Sequence, residues 1–318
     1  MATISFFQNR LGRTDGVSLE VDKWRHILRD RMGHGVWYCS GNDDVPTNYN
    51  IPELYAQHPR TWKILRNGTV AFDPTVYGSE AELELEIYNH ADVLEAKLMQ
   101  FISEKRVDVL VPNNLCSGGY QPAAAIAFHR VMRKTGLPSI IHSHDFYFED
   151  SGEVNATCHT VASIYERYFP VKLPNVQHVV INRISQGEIK RRKNIDATVV
   201  PNVFDFGQEP WVNDGYNADF RSAFGIGKND LVFLQATRIL DRKGVELGRE
   251  VSGKDKRGLA QVSAEKVGRA ADEVVGILAD PKRRAEMGEH NYAVGKAKFG
   301  YDTLERLIRE LLAKAKVV

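Results

Sequence analysis

A chain of 318 residues, 43% hydrophobic and 26% charged, can bury a large core, has room for two domains, and needs no disordered segment. Its 42 Lys and Arg balance 41 Asp and Glu, so a net charge of +1 exerts no global pull on nucleic acid or anionic membrane, and any anion must be held by a local site. Three cysteines, Cys39, Cys116 and Cys158, are odd in number, far apart and without CxxC spacing, which argues against a disulfide framework or a zinc site and fits a reducing compartment.

In chain order, residues 4–7 read as a strand that follows Met1 almost directly, with no basic head or cleavage site; no apolar run approaches the ~20 residues of a membrane span, and the expectation is a cytoplasmic protein without an integral membrane segment. Residues 16–31 read as a helix with Val17, Val21, Trp24, Ile27 and Leu28 on one face, and 36–39 as the next strand after the turn Gly33-His34-Gly35. A long helix over 81–104, a strand over 107–111 ending at Pro112, a helix over 121–134 and a strand over 139–142 follow. Then come a helix over 154–169, a strand over 176–181, a short helix over 185–192 and a strand over 197–200. Alternating strands and helices imply parallel βαβ units, and nearly continuous apolar strands imply burial on both faces of the sheet. Residues 204–211 mark a domain boundary. Beyond it, 219–224 reads as helix and 231–237 as a strand; the alternation stops after Gly248, and 264–278, 282–296 and 301–316 read as helices.

Four segments could carry chemistry. In the loop 9–16, Gly12 and Gly16 permit a tight turn and aim helix N–H groups at an anion; an ordinary βα turn is the plainer reading, since the loop is neither GxGxxG nor a P-loop. His142-Ser143-His144-Asp145 follows a strand, where polar groups face the ligand crevice of an open α/β sheet; two histidines without a third ligand argue against a metal. Arg238 and Lys243, with four residues between them across a loop, can converge on a diphosphate, with Gly244 letting a helix start close by; a solvated basic loop partly neutralised by Asp241 is the alternative. Val199-Val200-Pro201-Asn202-Val203 is by physics alone a turn.

Taken in this order, these pieces resemble the retaining GT-B glycosyltransferases (group 1, family 4-like). The resemblance rests on the glycine loop, Gly33-His34, His144-Asp145, Val200-Pro201-Asn202, Arg238 with Lys243-Gly244, and the terminal Asp280-Pro281 with Met287-Gly288. It implies two Rossmann-like domains facing across a cleft: 1–204 binding the acceptor, and 205–318 binding a nucleotide-sugar donor. It also implies that Arg238 and Lys243, with Gly12, Gly16 and Gly244, hold the donor diphosphate of a UDP-, GDP- or ADP-linked hexose. His144 would act at the reacting sugar, and Asn113, Asn114 and Asp145 would bind a small-molecule or carbohydrate acceptor, with no metal or other cofactor. Residues 205–318 depart from the pattern. The Glu pair of the family is matched only by Glu265 and Glu273 inside a helical run, and the segment is too short for the five or six β/α units such a domain needs. The expectation is therefore an incomplete donor domain, with units absent near 247–263, and the alternative function is a binding protein without a complete donor site. An NAD-linked enzyme is disfavoured by the lack of GxGxxG and of an acidic residue closing the second strand.

Overall fold

The computed structural model describes residues 1–44, 48–149, 154–209, 212, 214–228, 230, 232, 253–254, 260–261 and 264–317. The chain divides into two units, Met1–Phe204 with Lys298–Val318, and Asp205–Ala297. The first unit holds β1 (Thr3–Gln8), α1 (Gly16–His26, prolonged by a π turn over Ile27–Arg31), β2 (Gly35–Ser40) and β3 (Asn48–Asn50). It continues through α2 (Pro59–Thr69), α3 (Glu80–Lys105), β4 (Val109–Pro112), α4 (Pro122–Thr135) and β5 (Ser139–Ser143). After these come α5 (His159–Tyr168), β6 (Val176–Val180), α6 (Arg183–Lys193) and β7 (Ala197–Val199).

The seven strands form one sheet in the order β3-β2-β1-β4-β5-β6-β7, every pair parallel. β1 sits inside the sheet and is buried on both faces. Phe7 packs with α3 and α4 through Phe101 and Phe128, while its neighbour Phe6 points to the opposite layer and meets Trp24 of α1. That alternation is why β1 reads as an unbroken apolar run. Caps fix where the helices begin and end: Asp15 accepts from Ser18 N at the start of α1, Ser79 from Glu82 N at the start of α3, and Asn182 from Ser185 N at the start of α6. Gly136 closes α4 at φ 65°, a left-handed conformation that costs other residues more.

A last helix, α10 (Tyr301–Lys314), completes the first unit. Leu304, Ile308, Leu311 and Leu312 recur on one face and are buried in the layer that holds Phe6, Val21 and Ile27. Gln177 of β6 donates to Leu311 O at 2.9 Å, and Arg31 pairs with Asp302 at 2.8 Å. The Val-Pro-Asn junction is clamped to α1, since Glu20 accepts from Val203 N at 3.2 Å and Lys23 donates to Val203 O at 2.5 Å.

The second unit contains α7 (Phe220–Ala223), a two-residue antiparallel pair β8 (Gly253–Lys254) and β9 (Ala260–Gln261), α8 (Ala264–Ala279) and most of α9 (Pro281–Phe299). The strand expected over 231–237 lies outside the described residues apart from Val232. Among the described residues no helix is long and apolar enough to cross a membrane.

Candidate functional site

The site lies beyond the carboxyl ends of β1, β4 and β5. Gly12 and Gly16 stand in the β1–α1 loop, Asn113 and Asn114 directly after β4, and His144 and Asp145 directly after β5. Gly12 has φ 74°, where a side chain would strain the backbone. Gly16 is the first residue of α1, with no atom within 4 Å of the space a Cβ would occupy.

Asn114 joins the second and third of these segments. Its side-chain oxygen accepts from His144 N at 2.7 Å and Asp145 N at 3.2 Å, and its Nδ2 donates to the Asp145 carboxylate at 2.8 Å. To do so it holds φ 55°, in the left-handed region that asparagine tolerates better than most residues. The backbone adds to the link, with Asn114 N donating to His142 O at 3.1 Å. Asn113 is fully buried, its Nδ2 turned back onto Val111 O at 3.0 Å.

His144 is buried behind this network. Its ring lies 4.2 Å, centroid to centroid, from that of His142, which in turn packs 4.9 Å from Trp24. Burial lowers the His144 pKa to about 4, against the opposing pull of Asp15, so the imidazole is neutral at physiological pH. Burial, with His144 beside it, also lowers that of His142 well below its ordinary value. Neither ring nitrogen of His142, nor Nε2 of His144, has a hydrogen-bond partner among the described residues. A neutral imidazole can accept a hydroxyl proton at one nitrogen and donate from the other. The Cys39 and Cys116 thiols are buried and held above their ordinary pKa, which disfavours the thiolate a nucleophile needs.

In front of Asn114 opens a pocket of about 320 Å³, lined among others by Gln8, Arg10, Asp15, Ala56, Tyr120 and Gln121. Among the described residues expected to act, only Asn114 lines it. Arg10, Asp15 and Gln121 were not singled out by the sequence, although an Asp three residues before a Ser at a helix start, and a Gln just before Pro122, mark positions where loops present polar groups. Arg238, Lys243 and Gly244 lie outside the described residues, as does most of 247–263. Among the described residues no group of three His, Cys, Asp or Glu could hold a metal ion.

The chain is similar to two curated synthases. It is 35% identical over 256 residues to the mannosylglucosylglycerate synthase of Petrotoga mobilis, a match that covers 80% of this chain and 57% of that protein. It is 34% identical over 252 residues to the mannosylglucosylglycerate synthase of Thermotoga maritima, covering 78% of this chain and 56% of that protein. The chain thus spans little more than half the length of these relatives. No protein-family model matches it. Among solved structures, sucrose-phosphate synthase from Thermosynechococcus elongatus aligns with a TM-score of 0.47 and 12% identity over 93% of this chain and 69% of that one.

Proposed function

We propose that this chain is a glycosyltransferase that moves a hexose from a nucleotide diphosphate sugar to a small carbohydrate acceptor, with retention at the anomeric carbon and in a GT-B arrangement. The observation that carries the reading is the 35% identity to a mannosylglucosylglycerate synthase over 256 residues. That relative's name describes a product assembled from mannose, glucose and glycerate. Here, accordingly, a mannosyl group is the hexose transferred, and a glucosylated glyceric acid is the acceptor.

In this reading the acceptor enters the pocket in front of Asn114. The bond from the anomeric carbon to the diphosphate oxygen breaks as the bond to the acceptor oxygen forms on the same face, and the acceptor proton passes to the departing phosphate. Negative charge therefore grows on the diphosphate, where Arg238 and Lys243 supply cations and the N–H groups of the Gly12–Gly16 loop supply donors. His144, held neutral by burial, is a hydrogen-bond partner for a hydroxyl of the transferring sugar. Asp145, oriented by Asn114, is an acceptor for a second hydroxyl.

Incubating the full chain with UDP-, GDP- and ADP-hexoses and following the melting temperature identifies the donor, because a bound ligand raises it. The expected result is a rise with one of the three, and a product whose anomeric configuration by NMR equals that of the donor. Lys243→Ala is expected to lower kcat more than it raises KM, because the charge that Lys243 meets grows in the transition state. An intact mass above the 35.9 kDa of this sequence, from protein purified from its source, would identify a longer natural chain with a fuller donor domain. Absence of transfer from all three donors by the chain of natural mass would overturn the proposal.

A further inference from the structure

The pocket in front of Asn114 offers a half-exposed cation that is only loosely ion-paired and an unmatched acceptor, and the two together select a ligand. Its volume, about 320 Å³, is at the small end for ligand sites. Arg10 and Asp15 are the charged residues of its lining. The Asp15 carboxylate is already engaged at the start of α1, accepting from Ser18 N at 3.3 Å and from Ser18 Oγ at 2.9 Å. It forms a loose ion pair with Arg10, 3.4 Å from Nε, which is longer than an N–H···O bond. The terminal amino groups of Arg10 have no hydrogen-bond partner among the described residues, and their planar fork matches a carboxylate.

Gln121 supplies the second half. Its Nε2 donates to Leu54 O at 2.7 Å, which fixes how the amide is turned. That leaves Oε1 buried and without a donor among the described residues, on a residue only 2% exposed in the pocket wall. A buried oxygen left unmatched costs about 1–3 kcal/mol, and a ligand hydroxyl removes that cost. Other polar groups of the lining are already partnered within the wall: the Asn9 side-chain oxygen accepts from Ala56 N, and the Gln8 oxygen accepts from Asn9 N at 2.6 Å.

We infer that Arg10 and Gln121 are specificity-determining residues for the acceptor, Arg10 reading a carboxylate and Gln121 a hydroxyl of one polyhydroxy acid. This rests on the reading that the pocket receives the acceptor. A neutral sugar satisfies Gln121 and leaves the Arg10 fork unmatched. A simple anion does the reverse.

The test is binding to the full chain by calorimetry, with no donor present, using glucosylglycerate and its uncharged methyl ester as probes. Wild type is expected to bind the acid about tenfold more tightly than the ester, the scale of a hydrogen bond to a charged group. Arg10→Gln is expected to abolish that preference and leave ester binding unchanged; Arg10→Lys restores part of it. Gln121→Leu is expected to weaken acid and ester alike. Melting curves of the variants confirm that each is folded. If wild type prefers the acid and Arg10→Gln keeps that preference, the assignment of Arg10 fails while the acceptor reading stands. If Arg10→Gln leaves the acid untouched and weakens a nucleoside diphosphate instead, Arg10 belongs to the donor, and the inference is overturned. If wild type binds neither probe, the acceptor reading itself is overturned.

Discussion

The two units use apolar residues differently. In the first, the stripe of α10 is sealed against the sheet, with Leu304 and Leu311 fully buried. In the second, Val275 of α8 is 64% exposed, Tyr292 of α9 is 54% exposed, and no residue of α9 is buried. Both regions have helical periodicity. Among the described residues, only the stripe of the first unit is received by a large sheet, and most helical stability in a protein comes from packing an amphipathic face rather than from propensity.

The largest expected effect that would sharpen the contrast is acid sensitivity of the first unit. Burial lowers the pKa of His90, His144 and His178 to about 4, from an ordinary value of 6.5. Between those values the unfolded chain binds more protons than the folded one. The stability these groups contribute is complete above 6.5 and is lost as pH falls toward 4, at up to about 1.4 kcal/mol per histidine per pH unit. Urea midpoints at pH 7.5 and 5.0 measure it, and an unchanged midpoint at pH 5.0 would show that these histidines are solvated.

Paired truncations come next. Ile308→Ala is expected to cost about 2–5 kcal/mol, as buried aliphatic truncations do. Val275→Ala is expected to stay within about 0.5 kcal/mol, as exposed substitutions do. Equal losses in denaturant titrations would break the comparison between the units. A smaller loss is expected at Gly41, where an added Cβ would fall on the backbone nitrogen of Tyr55. Gly41→Ala is expected to cost about 1–3 kcal/mol by overpacking and, by displacing the neighbouring Ala56, to weaken acceptor binding as well. Least of all, Glu188→Gln on α6 should leave the midpoint within error, although Glu188 bridges Arg191 and Arg192, because all three reach solvent, where ion pairs count for little.

Much of the first unit was legible because its central strands β1, β4 and β5 are buried on both faces; these and β2, β6 and β7 all stand where apolar runs predict them. What escaped was the stretch between β2 and α3. β3 is a three-residue polar edge strand, Asn48–Asn50, that carries neither an apolar run nor alternation. α2 presents Trp62 to solvent and places Gly68 in its last turn, where it lets the chain pass close to Val161. At the site, position was readable and partnership was not. That His144 and Asp145 follow a strand is a local fact of sequence. That Asn114 binds both, thirty residues away along the chain, depends on β4 and β5 lying side by side. Arg10 and Gln121 are ordinary residues in isolation and acquire meaning only from what their neighbours have already engaged. The expected donor residues Arg238, Lys243 and Gly244 lie outside the described residues.

One contact bears on how such a chain can change over time. Phe204 N donates to Phe299 O at 2.7 Å, so the polypeptide leaves the first unit and returns to it at the same spot. Residues 205–297 are thus a graft on a host whose first and last segments are already knitted together. A graft with adjoining ends can be trimmed, lengthened or exchanged without shifting a single strand register in the host.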